Sequence, residues 1–212
     1  MNRPGRPQPP IDLSAGRLEA FSDAVMAVII TILALGLHPP EGTTWVAVRD
    51  DPLVLPGLAI YVLSFSFVAI YWNNHHHLLR ATTLISGAVM WANMVLLFCL
   101  SLIPVATEWL RSGYHDPAPA AFFGVVGLAS ALAYSLLVRA IIRANGRDSL
   151  VGTAIHADLK GKLSLAMYAA GIALAFVSVW LAYALYAAVA IMWLVPDRRF
   201  MHAHADEGTN EP

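Results

Sequence analysis

Two long stretches of this chain, Leu53 to Trp72 and Leu163 to Leu194, contain no charged residue at all. A helix needs only about 20 predominantly apolar residues to cross the hydrocarbon core of a bilayer, so each stretch is long enough to span one. Charge is scarce elsewhere too. Of the 212 residues, 13% are charged and 58% hydrophobic, against roughly a quarter charged in an average soluble domain. A water-soluble fold of this size could not hide that much apolar surface, and the natural solvent is the bilayer. The formal net charge is -1, with no gathering of Lys and Arg into one face, which argues against nucleic acid as a partner.

Breakers and hydrophobic runs divide the chain into six helices. Helix one runs from about Leu18 to Leu37 and is stopped by Pro39 and Pro40, which cannot continue a helix. Helix two occupies Leu53 to about Leu79, and helix three Gly87 to Trp109 with Pro104 as a tolerated kink. A short loop over Gly113 to Pro119 leads to helix four, Ala120 to about Ile142. As one helix, Leu163 to Leu194 would be about 48 Å long, well beyond a ~30 Å hydrocarbon core. It therefore divides into two spans near Ser178 to Leu181, although no Pro or Gly marks the turn.

Basic residues test the count independently, because cytoplasmic loops are enriched in Lys and Arg. With six spans, one side holds Arg3, Arg6, Arg17, Arg80, Arg139, Arg143, Arg147, Lys160, Lys162, Arg198 and Arg199, and the other only Arg49 and Arg111. Five spans would carry Arg198 and Arg199 outside. The sequence thus predicts an all-α membrane protein with six transmembrane helices and both termini cytoplasmic. Residues 1–16 form a flexible N-terminus, 17–199 the transmembrane unit, and 200–212 a flexible tail. Met1 to Pro10 is polar and proline-rich and no small-residue cleavage site follows the first apolar stretch, so helix one is expected to stay in the mature protein. The lone Cys99 lies in an apolar run and reads as a small buried hydrophobe.

Helix one opens with Arg17-Leu-Glu-Ala-Phe21-Ser22-Asp23. An ionisable residue in a membrane helix is costly, which makes Asp23 a functional candidate in need of a partner. Arg17 is the nearest cation in sequence, but six residues place the two on different sides of one helix, so pairing with another helix or subunit fits better. The alternative is an Asp23 hydrated at the interface. Further along, Phe21, Val28 and Leu35 recur every seven residues with Thr31 near the same face, an apolar stripe with one hydroxyl. By periodicity alone such a stripe is ordinary helix packing. The run His75-His76-His77 invites a metal reading, yet consecutive helical residues point about 100° apart and cannot converge on one ion. No nucleophile paired with a base, phosphate-binding glycine loop or zinc spacing is present, so no enzyme is expected.

Arg17-x-x-x-Phe21-Ser22-Asp23 resembles the signature of the transmembrane protein 175 family, and Val28, Thr31 and Leu35 fall where that family has its pore-lining Ile or Leu, Thr and Leu. Trp72-Asn-Asn-His75, Ser101-Leu-Ile-Pro104 and Trp193-Leu-Val-Pro196-Asp197-Arg198-Arg199 are similar as well. Val28 is smaller than the usual family residue at its position. The resemblance implies a prokaryotic, potassium-conducting cation channel: a homotetramer in the cytoplasmic membrane, its pore lined by four copies of helix one, with no cofactor beyond the permeant ion. The carbonyl filter Thr-Val-Gly-Tyr-Gly is absent from the sequence, so rings of Val28 and Leu35 would act as hydrophobic constrictions and Thr31 hydroxyls would replace part of the hydration shell. It also implies that His75 joins Arg17 and Asp23 in a structural polar network beside the pore helix, and gives no such role to His76 or His77. Two other classes compete. A proton-coupled transporter would relay protons through Asp23 and His75, but helix one has only Gly36 near its end in place of a mid-membrane break. A membrane scaffold would conduct nothing.

Overall fold

The computed structural model describes residues 13–40, 42–149, 151–152 and 159–194, with side chains described from residue 16 onward. The helices given bounds among the described residues are α1 (Leu13–Leu35), α2 (Trp45–Asp50), α3 (Val54–Arg80), α4 (Gly87–Ser101), α5 (Ile103–Ser112), α6 (Pro117–Asn145), α7 (Leu159–Ala175) and α8 (Val179–Leu194). No strand occurs among the described residues. Four segments, Gly16–Leu35, Val54–Arg80, Gly87–Ser112 and Pro117–Asn145, are long and apolar enough to cross a membrane, and Val179–Leu194 is a shorter apolar helix. Most of the expected flexible N-terminus, and the whole tail over 200–212, lie outside the described residues. Leu13 to Gly16 belong to α1.

The breaks follow local chemistry. At the end of α1, Gly36 N–H donates to Ile32 and Leu33 carbonyls and Leu37 N–H to Ala34, a tightened last turn before the two prolines. The short α2 is not foreseen by hydrophobic pattern. It sits in the connection after α1, where Asp51 Oδ1 accepts from Leu53 N–H at 2.9 Å and sets the turn into α3. Where helix three was expected to kink at Pro104, the chain divides into α4 and α5 at Leu102, and Pro104 falls within the first two positions of α5. Its missing N–H would be unpaired there anyway. The same tolerance starts α6 at Pro117, inside the expected loop. It runs on to Gly146, whose φ of 92° ends it. The apolar run after Lys162 breaks at residues 176–178, two or three residues ahead of the expected turn.

The core is built around α6, which packs on α4, α5, α7 and α8, while α1 lies on α3, α4 and α5. Glycines permit the closest approach. A Cβ at Gly124 would stand 2.1 Å from Tyr186 Oη, one at Gly127 2.5 Å from Tyr168 Cε1, and one at Gly171 2.5 Å from Tyr186 Cε1. Tyr168 and Tyr186 are both buried, with Phe67 and Phe123 beside them at ring-centroid distances near 6 Å. Tyr186 Oη donates to the Ala120 carbonyl at 3.2 Å. Small residues facing large aromatics are how membrane helices gain contact where the hydrophobic effect no longer separates protein from solvent.

Candidate functional site

The residues of α1 separate into two faces. Leu18, Ser22, Met26, Ile29 and Leu33 are buried against the rest of the chain, at the three- and four-residue spacing that makes one helical stripe. On the opposite side Phe21, Val28, Thr31 and Leu35 are exposed; Leu35 is 81% exposed and Val28 55%. Val28 and Leu35 lie about 10 Å apart along the axis with Thr31 between them. Thr31 Oγ1 donates to the Val28 carbonyl at 2.8 Å. Its proton is therefore turned back into the helix, and its lone pairs are left outward, the polarity a cation requires.

At the head of α1 the polar side chains form two separate groups. One is fully buried: His75 Nε2 donates to Asn93 Oδ1 at 2.7 Å, Asn93 Nδ2 donates to Ser22 Oγ at 2.9 Å, and Ser22 Oγ donates to the Leu18 carbonyl at 2.8 Å. This chain ties α1, α3 and α4 together. The other lies nearer the surface. Trp72 Nε1 donates to Asp23 Oδ1 at 3.0 Å, the Trp72 ring stacks on His76, and His76 Nδ1 stands 2.9 Å from Glu19 Oε1. The structure thus brings Ser22 and His75 into one group and Asp23 into the other. Within the single chain Arg17 is exposed and makes no ion pair among the described residues.

Three of these partners were missed by the sequence. Asn93 is a lone amide in the apolar run of α4, and a buried amide in a membrane helix demands partners; that signal was available. Glu19 and His76 pair only through the crossing of α1 with α3, which no spacing within one helix reveals. Ligand atoms of Glu19, Asp23 and His76 lie within 4.8 Å of one another; Asp23 already accepts from Trp72, while His76 Nδ1, though close to Glu19, makes no hydrogen bond among the described residues. At the other end of α1, Arg111 grips Glu108 with two bonds of 3.0 and 2.6 Å. Glu108 Oε2 lies 3.7 Å from where a Cβ on Gly36 would stand, so this pair abuts the end of α1.

A helical membrane protein whose first helix keeps one aliphatic face, with a single hydroxyl in it, free of its own chain fits the channel class. The family described as endosomal/lysosomal potassium channel TMEM175 matches residues 17–104. A potassium channel of a Chryseobacterium species is 44% identical over 187 residues, covering 88% of this chain and 96% of that protein. The crystal structure of a lysosomal potassium-selective channel TMEM175 homolog from Chamaesiphon minutus superposes with a TM-score of 0.70 at 26% identity, covering 87% of this chain and 98% of that one. A chicken protein named an endosomal/lysosomal proton channel is 24% identical over 146 residues, 63% of this chain and 28% of its own length. This chain is a prokaryotic member of the TMEM175 family.

Proposed function

We propose that this protein is a potassium-conducting channel of the cytoplasmic membrane, assembled from four copies with the exposed face of α1 from each lining the pore. Residues 17–199 form the channel unit in six spans, with both termini cytoplasmic. The observation that carries the reading is the division of α1: Met26, Ile29 and Leu33 are consumed by the protomer, whereas Val28, Thr31 and Leu35 are left for something outside it. Stacked fourfold, Val28 and Leu35 form aliphatic rings that resist wetting, and Thr31 offers outward oxygens between them. The polar groups around Arg17, Phe21, Ser22, Asp23 and His75 serve structure in this reading. The names of the bacterial relatives support potassium as the permeant ion. A carrier passing protons between Asp23 and His75 has less support, because the two residues belong to different hydrogen-bonded groups.

Two measurements test the proposal. Purified protein in liposomes should pass potassium down its gradient, and protein that conducts nothing would refute it. Cysteines placed at positions 28, 31 and 35 should react with water-soluble thiol reagents faster than cysteines at 26, 29 and 33. Equal rates would remove this face of α1 from the pore.

A further inference from the structure

Away from the pore face, a groove of about 450 Å³ runs between α4 and α6. The two helices are antiparallel there, and Asn145 fastens their shared end: its side-chain oxygen accepts from Thr83 and Leu84 N–H, and its amide donates to the Leu84 carbonyl. Ser86 and Arg143 line the groove at this end. Val95 and Leu136 line it deeper, about 13 Å beyond Ser86 and about 10 Å beyond Arg143 by helical rise. Trp91 forms the wall between them and is 75% exposed. The groove is therefore polar at one end and apolar along its length, on the scale of a lipid tail joined to a headgroup.

We propose that this groove holds a phospholipid with an anionic headgroup. The acyl chain lies along Trp91, Val95 and Leu136, and the phosphate sits on the Arg143 guanidinium. Charge complementarity selects the occupant. Arg143 is exposed and has no acidic partner among the described residues, and the exposed Arg139 lies one turn before it on α6, beside the groove lining. The Arg143 guanidinium at the mouth of an apolar groove recognises a phosphate through paired N–H donors, and the Ser86 hydroxyl adds a further polar contact. A headgroup carrying its own ammonium gains less, because that cation is repelled by the same arginine. Which leaflet supplies the lipid rests on the topology proposed above, since Arg139 and Arg143 lie on its cytoplasmic side; the binding itself does not.

The test is native mass spectrometry and thermal melting of the detergent-purified protein with added phosphatidylglycerol, phosphatidylcholine or inorganic phosphate. Phosphatidylglycerol should be retained and raise the melting temperature, and the other two should do neither. Arg143→Gln should weaken phosphatidylglycerol retention about tenfold or more, the loss of a charge-assisted bond, while unliganded melting stays unchanged. Val95→Trp, which fills the apolar part, should weaken retention with Arg143 intact. Equal retention of phosphatidylcholine, equal stabilisation by phosphate, or an Arg143→Gln protein that binds as before would overturn the proposal. So would a disulfide between copies carrying Trp91→Cys in a Cys99→Ser background, which would make the groove a protomer interface. Because binding is read in detergent, its failure is separate from any failure of potassium flux.

Discussion

Replacing Asn93 with leucine removes an amide of similar volume from the buried group at the head of α1. His75 Nε2 then loses its acceptor, and Nδ1 of the same ring has no partner among the described residues, so turning the ring does not rescue it. Ser22 suffers less, since its hydroxyl still donates to the Leu18 carbonyl. One stranded N–H in an apolar site costs about 1–3 kcal/mol. Hydrogen bonds between membrane helices average nearer 0.6 kcal/mol, because the unfolded chain in the bilayer also finds partners. Weighing the two, Asn93→Leu is expected to cost about 1.5 kcal/mol. For a chain of this length that lowers the melting temperature by about 3–6 °C, read by tryptophan fluorescence in detergent. His75→Leu should cost a similar amount by stranding Asn93. The double variant should melt above either single one and nearer the native protein, because removing both partners leaves neither of them stranded. If the two losses add in the double variant, or Asn93→Leu melts like the native protein, the bond between His75 and Asn93 contributes nothing and the reasoning fails.

Leu35→Asn should raise potassium flux in liposomes, because a polar ring wets more readily than an aliphatic one, and Thr31→Val should lower the preference for potassium over sodium by removing the side-chain oxygens beside the constriction. Gly124→Ala should reduce melting temperature by forcing a methyl into the hydrogen-bonded Tyr186 hydroxyl, an overpacking cost of about 1–3 kcal/mol. Gly87→Ala, with nothing within 4 Å of the new carbon, should be neutral or slightly stabilising; equal effects at the two glycines would deny the packing argument. A reporter active only outside the cytoplasm, fused after Pro212, should stay silent, and a strong signal would remove the six-span topology.

Most helices were legible because prolines, glycines and uncharged runs punctuate the chain independently of packing. The turn between α7 and α8 carries no such mark, and the length limit of the bilayer alone placed it within a few residues. What stayed hidden is of another kind. The short α2 has too few residues for a period to declare itself. The start of α6 was set late because Pro117 and Pro119 read as loop residues, although the first helical turn tolerates both. The two faces of α1 share one aliphatic composition, and Met26 differs from Val28 only in what surrounds it. The polar groups show the same division: Ser22 and His75 were named from a motif, while the amide that joins them, Asn93, is separated from both in sequence and meets them only when α4 crosses α1.

The contacts at the two ends of α1 constrain how it can move. Ser22 is held to α4 through Asn93 near one end, and the Glu108 and Arg111 pair abuts Gly36 at the other. In mechanical terms α1 is a beam clamped at one end and butted at the other, and such a beam does not swing freely as a lever. Displacing the Ser22 end requires breaking a polar contact, whereas turning Leu35 or Val28 between rotamers breaks none. The least costly motion open to this helix is therefore in the side chains at its middle and far end, with the backbone as a fixed frame. In the proposed pore, conduction controlled there would switch through the filling and emptying of a narrow space by water, on the nanosecond scale of exposed side-chain motion, without a rearrangement of helices.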